Sequence, residues 1–291
     1  MPIAGLAFDP SKEVSGRDTF LEREFPMSAK DYRTISALAY EHSGIVLADS
    51  KQEMVYSRLS RRLRDRGVPT FSEYLKILQS NWEAEQTMFL NAITTNLTSF
   101  FRENHHFEYL AETVIPKLKQ QHAKDRKIRV WSTAASTGEE PYSIAMVFRE
   151  AFQVSQWDIK ILATDIDSDV LSTARQGIYK FDRIEGIGDR RQKKWFQQVG
   201  KEDYQVDDSL KELLSFKKLN LLNNWPMKGP FDVVFCRNVI IYFDKETQRV
   251  LFEKMSKLMP KDSHLFIGHS ESLLKVADKY ESKGRTIYKR L

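Results

Sequence analysis

The sequence has little cysteine and no long apolar run. Cys236 is the one cysteine among 291 residues, which excludes an internal disulfide framework and suits a reducing compartment. No stretch approaches the ~18 consecutive apolar residues of a membrane span. The N-terminal "MPIAGLAFDPSKEVSGRDTF" lacks the basic start and apolar core of a secretory signal. These absences predict a cytoplasmic protein that does not insert directly into a membrane.

The composition is that of a globular protein, with 41% hydrophobic and 29% charged residues. The length allows one large domain or two of ordinary size. A formal net charge of +5 is mildly basic. Such a charge fits an acidic partner but does not require nucleic acid, because local patches matter more than totals.

The first part of the chain has a helical pattern. Residues 1–27 show no clear periodicity and are expected to form a loose leader. Residues 28–95 are expected to form an α-helical domain, in which Ser28 and Ser50 each begin a capping box. The predicted helices cover residues 29–42, 51–66, 70–79 and 83–91.

After residue 95 the pattern changes to apolar runs that alternate with amphipathic stretches. The runs are "KIRVWSTA", "DIKILATDI", "ELLSFKKLNLL", "FDVVFCRN" and "HLFIGHS". Near-continuous apolar strands separated by helices predict an α/β fold with a parallel sheet covered on both faces. The terminal "YESKGRTIYKRL" predicts a hairpin around Lys283 and Gly284, and therefore an antiparallel last strand. Residues 181–211 are too long and polar for a plain crossover, so we expect an inserted helix and antiparallel excursion there.

The turn after the first strand, "WSTAASTGEEPYS", is acidic where a phosphate-binding turn would be rich in glycine. It has one glycine, Gly138, followed by Glu139 and Glu140 at a predicted helix start. The two carboxylates would repel a pyrophosphate and attract a cation. Asp165 ends the next strand, where an acid usually binds a ribose diol. A ribose with a cationic group and no phosphate describes S-adenosylmethionine, although two acids in a first turn also suit the helix dipole alone.

Polar residues also follow the later strands of the predicted sheet. Asn220 and Leu221 end the third strand, and Arg237, Asn238 and Tyr242 follow the fourth. The carboxyl edge of such a sheet is where open α/β folds bind ligands. Each asparagine could contact the adenine or the amino-acid part of a cofactor, or could simply be a cap or a turn residue.

The segment "NLTSFFRENHHF" joins the helical domain to the sheet. It places Asn96, Thr98 and Arg102 beside aromatic residues. His105 and His106 are adjacent and are expected to point in different directions on a helix, so no metal is assigned to them.

Together, "NLTSFFRENHHF", "VWSTAASTGEEPYSIAM", "ILATDID", "FDVVFCRNVIIYFD" and "HLFIGHSESL" resemble the CheR family of chemotaxis-receptor glutamate methyltransferases. The resemblance covers about residues 28–291. It implies a Rossmann-type methyltransferase domain over 96–291, with a small inserted β-subdomain around 181–211 and the helical domain before it. It also implies that S-adenosylmethionine is bound, and S-adenosylhomocysteine released, by Asn96, Thr98, Arg102, Glu140, Asp165, Asn220, Leu221, Asn238 and Val239. Glu140 is favoured over Glu139, and the choice between them stays open.

The resemblance further implies a substrate. Family members methylate glutamate side chains on the cytoplasmic helical region of methyl-accepting chemoreceptors, which gives γ-methyl esters in chemotaxis adaptation, a signal-transduction process at receptor arrays. In some members the inserted subdomain binds a peptide at the receptor's C-terminus. A glutamate is already ionised at neutral pH, so no general base is needed. Arg102 is the candidate to orient the carboxylate, and Tyr242 the candidate to donate a hydrogen bond to it.

The second predicted helix has an apolar side and a basic side. Val55, Leu59 and Leu63 form the apolar side. The basic side suits docking of an acidic helical substrate by charge, although such a stripe is more often a solvated face. Its members are Lys51, Arg58, Arg61 and Arg62.

Three other functions are weighed against this one. A nucleic-acid amino-methyltransferase would commonly carry a "DPPY"-like motif where this chain has "RNVIIY". A dinucleotide-dependent dehydrogenase would need the absent G-x-G-x-x-G turn. A silent binding module on the same scaffold would not need Arg102, Glu140, Asp165 and Asn238 together.

Overall fold

The computed structural model describes residues 23–152, 156–273 and 278–291, so most of the predicted leader lies outside the described residues. The chain forms two compact units; the first ends at Thr94 and the second begins at Thr95. Within the described ranges, the helices are too short or too polar to cross a lipid bilayer.

The first unit contains the four predicted helices, with ends that differ from the prediction by at most two residues. They are α1 (Ala29–Ser43), α2 (Gln52–Arg66), α3 (Phe71–Ser80) and α4 (Trp82–Ile93).

One of the two predicted capping boxes is present. The Ser28 hydroxyl accepts a hydrogen bond from the Asp31 backbone N–H, and the Asp31 carboxylate accepts one from the Ser28 N–H. The capping box predicted at Ser50 is wrong. Ser50 lies inside a 3₁₀ turn, Asp49–Lys51, so that α2 begins after it, at Gln52, without a side-chain cap.

The first unit is held together by an apolar face and a buried ion-pair cluster. Val55, Leu59 and Leu63 are fully buried, as the pattern of α2 predicts. Glu85 on α4 is also fully buried and is paired with Arg62 and Arg66 of α2. Burial raises the pKa of Glu85, but the hydrogen bonds from the two arginines outweigh it and hold that pKa below its usual value. Because a buried charge is tolerated only when paired, these arginines have a structural role.

The second unit contains a seven-stranded sheet with the order β6-β2-β1-β7-β8-β10-β9. The first five strands in this order are parallel, and β10 pairs antiparallel with β8 on one side and with β9 on the other, as the terminal hairpin predicts. Its strands are β1 (Lys127–Ser132), β2 (Asp158–Asp165), β6 (Leu214–Lys218), β7 (Val233–Cys236), β8 (His264–Ile267), β9 (Tyr280–Gly284) and β10 (Ile287–Arg290).

Both faces of the sheet are buried. On β7, Val233 and Phe235 belong to one core cluster, while Val234 and Cys236 belong to another. This alternation explains why the central strands read as continuous apolar runs. The covering helices are α5 (His105–Tyr109), which continues through a π-helical turn (Leu110–Val114) into α6 (Ile115–Gln121), then α7 (Glu139–Ala151), α8 (Ser168–Gln176) and α12 (Lys245–Ser256).

A second, smaller sheet lies between β2 and β6 in the chain, where the antiparallel excursion is expected. It has the order β3-β5-β4 and is antiparallel throughout. Its strands are β3 (Ile178–Lys180), β4 (Phe196–Gln198) and β5 (Asp203–Val206), with the short helices α9 (Phe181–Ile184), α10 (Asp189–Trp195) and α11 (Asp208–Lys211) around them.

The strand order of the large sheet reverses next to β1. The chain moves outward from β1 through β2 to β6, and then returns to β7 on the other side of β1. In open α/β sheets the ligand-binding crevice lies outside the carboxyl ends of the strands at such a reversal. The residues that follow β1 and β7 are therefore the candidates to line a ligand-binding crevice.

Candidate active site

The turn between β1 and α7 is shaped by its one glycine. Gly138 has a φ of 103°, which L-residues rarely adopt. A Cβ atom at this position would lie 2.7 Å from the Tyr179 hydroxyl and 3.0 Å from the Ala174 Cβ atom. Tyr179 in turn donates a hydrogen bond of 2.7 Å to the Thr137 carbonyl. The glycine is thus required for close packing of the turn against β3 and α8.

The two glutamates that begin α7 are buried and point to different partners. Glu139 accepts a hydrogen bond of 2.6 Å from the Thr137 hydroxyl and is ion-paired with Arg183 of α9. Glu140 accepts a hydrogen bond of 2.8 Å from the Ser132 hydroxyl, at the end of β1. It accepts another, of 3.0 Å, from the Arg237 guanidinium, just after β7. Glu140 therefore lies at the reversal of the strand order, whereas Glu139 faces the inserted segment.

This pairing corrects the electrostatics expected from the sequence. The two carboxylates were expected to attract a cation, and in the structure the cations beside them are side chains of the protein, Arg183 for Glu139 and Arg237 for Glu140. Burial raises the pKa of Glu140, and the charge of Arg237 opposes that rise. The carboxylates still occupy the first turn of α7, which is the place where a phosphate would lie at a helix start.

Asp165, at the end of β2, is held by the backbone of two turns. Its carboxylate accepts hydrogen bonds from the Ser136 N–H, at 2.8 Å, and from the Asp167 N–H, at 3.0 Å. Burial raises the pKa of Asp165 to about 6, against the lowering effect of these N–H groups. A carboxylate has about four acceptor positions. The side chain thus keeps capacity to accept hydrogen bonds from a hydroxyl-bearing ligand.

The loop before α5 is tied to these strand ends. The Ser136 hydroxyl donates to the Asn96 carbonyl at 3.0 Å, and the Asn96 side chain donates to Asp167 at 2.8 Å. Arg183 donates to the Thr98 carbonyl at 3.0 Å, and Arg237 donates to the Arg102 carbonyl. Asn96, Thr98 and Arg102 are therefore carried by a loop anchored at the carboxyl ends of β1, β2 and β7.

The remaining predicted residues follow β6 and β7 at the same edge of the sheet. The Asn220 side-chain oxygen accepts a hydrogen bond of 3.0 Å from the Leu222 N–H, and Leu221 is buried. Asn238 has a left-handed φ of 57°, and Val239 leads from it into a 3₁₀ turn, Ile240–Tyr242. Tyr242 is half-buried.

The adjacent histidines, His105 and His106, were expected to point in different directions, but their rings lie side by side. The rings of His105 and His106 lie 4.2 Å apart, and the Nε2 atoms contact the same Arg285 carbonyl, at 3.2 and 3.0 Å. With Glu103 they place potential metal-ligand atoms within 4.8 Å of one another. Arg237 lies 3.5 Å from the Glu103 carboxylate, however, so a guanidinium already supplies the positive charge there.

Comparison with known proteins identifies the fold family. Residues 96–289 match the CheR methyltransferase, SAM binding domain, and residues 30–94 match the CheR methyltransferase, all-alpha domain. The chain belongs to the CheR methyltransferase family. It is accordingly an S-adenosylmethionine-dependent methyltransferase of Rossmann-type fold, which confirms the fold, the enzyme class and the cofactor expected from the sequence motifs.

Relatives of this CheR protein match along most of their length. Chemotaxis protein methyltransferase 2 of Pseudomonas aeruginosa is 42% identical over 275 residues, which cover 92% of this chain and 96% of the relative. The chemotaxis protein methyltransferase of Escherichia coli is 42% identical over 269 residues, or 90% and 91% of the two chains. A probable chemotaxis protein methyltransferase of Rhizobium etli is 44% identical over 239 residues, or 80% and 89%.

The contacts of two arginines at this edge of the sheet could not be predicted from the sequence. Arg183 comes from the inserted segment, and only the folded chain brings it to Glu139 and Thr98. Arg237 was visible as a charged residue after a buried strand, but its contacts with Glu140 and the Arg102 carbonyl were not. A fully apolar strand that ends in a charged residue is the one signal that points to it.

The raised pKa of Asp165 predicts that cofactor affinity depends on pH. If the ionised Asp165 carboxylate accepts hydrogen bonds from the cofactor's hydroxyl groups, protonation below its pKa of about 6 lowers the fraction of protein that can bind the cofactor. The S-adenosylmethionine Kd should then be roughly tenfold weaker at about pH 5 than at about pH 7.5. Isothermal calorimetry across this range measures it.

The control is Asp165→Asn, which should bind more weakly at every pH and lose this pH dependence. An Asp165→Asn profile with the same slope as the wild type would show that another group titrates.

Proposed function

We propose that this protein transfers the methyl group of S-adenosylmethionine to glutamate side chains of methyl-accepting chemoreceptors, which forms γ-glutamyl methyl esters during chemotaxis adaptation. The relatives that cover most of the chain are chemotaxis protein methyltransferases, which supports the receptor as substrate. The observation that carries the proposal is the loop of Asn96, Thr98 and Arg102, which is tied to the strand ends where the cofactor is expected. We place the reaction on the cytoplasmic side of the membrane, at receptor arrays.

In this proposal the cofactor is held along the carboxyl edge of the sheet. Asp165 accepts the ribose hydroxyls, and Glu140 lies near the positively charged methionine part. The loops after β6 and β7 contact the base and the amino-acid part. The residues assigned to the cofactor are Asn96, Thr98, Arg102, Glu140, Asp165, Asn220, Leu221, Asn238 and Val239.

The chemistry requires positioning more than proton transfer. When bound, S-adenosylmethionine would supply a methyl group on a sulfonium, and its sulfur would become a neutral thioether as the methyl passes to a carboxylate oxygen of the substrate. A substrate glutamate with a pKa of about 4.3 is already ionised at neutral pH, so no side chain has to remove a proton. Arg102 would orient the incoming carboxylate, and Tyr242 would donate a hydrogen bond to it.

The docking surface assigned from the sequence requires a correction. Arg58 donates to the carbonyls of Ile93 and Thr94, and Arg62 is paired with the buried Glu85. Both are therefore occupied inside the helical unit. Lys51 and Arg61 are exposed and remain the candidates that meet an acidic receptor helix.

The small inserted sheet is the candidate for binding a receptor C-terminal peptide. Its outer strands, β3 and β4, each pair with β5 on one side. An extended peptide can add a strand to a sheet edge of this kind. Ile178, Phe181 and Val199 are exposed apolar side chains in this segment and would give such a peptide apolar contacts.

The proposed function is tested by transfer of a labelled methyl group to receptor-containing membranes. We expect a base-labile label on a receptor band, as a carboxyl ester requires. Arg102→Ala should lower kcat about 100-fold, because the carboxylate is no longer oriented. Arg249→Ala is the matched control, since Arg249 is an exposed arginine paired with Glu246 on α12.

Absence of label on every receptor band would contradict the proposed substrate. Wild-type turnover by Arg102→Ala at saturating cofactor would contradict only the role of Arg102.

Docking by charge predicts a specific effect of charge reversal on the helical unit. Lys51→Glu combined with Arg61→Glu should raise KM for the receptor by roughly tenfold at low salt and leave kcat almost unchanged, because exposed charges mainly steer encounter. High salt should reduce the difference from the wild type, since it screens exposed charges. Initial rates at varied receptor concentration measure both constants.

Lys76→Glu on α3 is the control, because Lys76 is also exposed but lies outside the proposed surface. An effect of Lys76→Glu about half as large as that of the Lys51/Arg61 double variant, in proportion to the charge changed, would show that total charge, and not this surface, matters.

A further inference from the structure

Glu271, four residues after β8, is a buried carboxylate that binds the backbone of the loop after β7. One oxygen accepts hydrogen bonds from the N–H groups of Val239, at 3.0 Å, and Ile240, at 3.1 Å. The other accepts from the N–H groups of Asn238, at 3.0 Å, and Gly268, at 2.5 Å. Glu271 is 5% exposed. A single side chain thus satisfies four backbone donors.

The backbone conformation of Asn238 creates this set of donors. Its φ of 57° lies in the left-handed region, which is costly for a residue with a side chain. Successive N–H groups that follow a left-handed residue can turn toward one point and form an anion-binding concavity. Here the N–H groups of Asn238, Val239 and Ile240 converge on Glu271. The carboxylate therefore stabilises a conformation that the chain would otherwise disfavour.

Gly268 provides an independent sign that the two loops fit closely. A Cβ atom at residue 268 would lie 2.4 Å from the Asn238 side-chain nitrogen and 2.9 Å from a Glu271 carboxylate oxygen. It would also lie 3.0 Å from the Asn238 backbone nitrogen. The loop after β8 is thus built without a side chain at the point where it supports Asn238.

We propose that Glu271 is a positioning residue for cofactor binding, which holds the backbone of Asn238 and Val239 in place and sets the start of the turn that carries Tyr242. This inference rests on the proposed role of Asn238 and Val239 at the cofactor. Glu271 itself acts only through the loop that it binds.

The charge and shape of the carboxylate are both required. Its two oxygens offer about four acceptor positions for the four N–H groups. A glutamine of the same size would offer one oxygen and would turn an NH₂ group toward backbone donors. Burial raises the pKa of Glu271, whereas the surrounding N–H groups favour its ionised form.

The test compares Glu271→Gln with Asp232→Asn. Asp232 is also a buried carboxylate that accepts a backbone hydrogen bond, from the Arg129 N–H at 2.8 Å, but it precedes β7 and so lies at the opposite end of that strand. We expect Glu271→Gln to weaken the calorimetric Kd for S-adenosylmethionine about tenfold or more, because the loop is displaced. Both variants should have a lower melting temperature than the wild type, because each weakens hydrogen bonds to a buried carboxylate. Asp232→Asn should nevertheless leave the Kd for S-adenosylmethionine within about twofold of the wild-type value.

Two further variants keep the outcomes distinct. Asn238→Ala tests the cofactor role of Asn238 directly, and an unchanged Kd for this variant would contradict that role. If Asn238→Ala binds more weakly but Glu271→Gln keeps the wild-type Kd, the positioning inference is overturned. If Glu271→Gln does not fold, Gly268→Ala serves instead. Its added Cβ atom would displace Asn238, while Glu271 is retained. A wild-type Kd for Gly268→Ala would then overturn the inference.

Discussion

The site depends on one buried guanidinium, that of Arg237, at the point where the strand order reverses. Arg237 is 4% exposed, donates to Glu140 at 3.0 Å and to the Arg102 carbonyl, and lies 3.5 Å from Glu103. A buried cation is tolerated only when its partners are in place, so the charge couples three segments: the loop before α5, the start of α7 and the end of β7. Most of the residues proposed to bind cofactor and to orient the substrate lie on or next to these segments, whereas Asp165 ends β2, and Asn220 and Leu221 follow β6.

The acidic turn has a structural as well as an electrostatic role. Glu139 connects α7 to Arg183 of the inserted segment, and Arg183 also holds the Thr98 carbonyl. Glu140 connects α7 to the ends of β1 and β7. This turn contributes carboxylates to the inserted segment and to the strand ends, and it does not need the several glycines that let a phosphate approach a loop. Its one glycine, Gly138, is needed for packing against Tyr179.

The helices, the sheet and the polar residues at its carboxyl edge could be predicted because they follow from local patterns. Continuous apolar strands reflect burial on both faces, and Asp165 and Asn238 could be placed at strand ends by counting from those runs. Arg62 and His106 could not be interpreted in this way, because their roles depend on Glu85 and Arg285, which are distant in sequence. Glu271 is the clearest example: a glutamate in a polar turn has no local signal that it accepts four N–H groups from two loops.

The measurement that tests this account most directly is the S-adenosylmethionine affinity of Glu140→Gln and Glu139→Gln, determined by calorimetry on variants with the wild-type circular dichroism spectrum. Both substitutions remove one charge and keep the size of the side chain. We expect Glu140→Gln to weaken binding by more than about tenfold, because it leaves Arg237 without its main counter-ion at the proposed cofactor site. Glu139→Gln should change the affinity by less than about threefold. Equal losses, or a larger loss for Glu139→Gln, would contradict the central place of the Glu140–Arg237 pair.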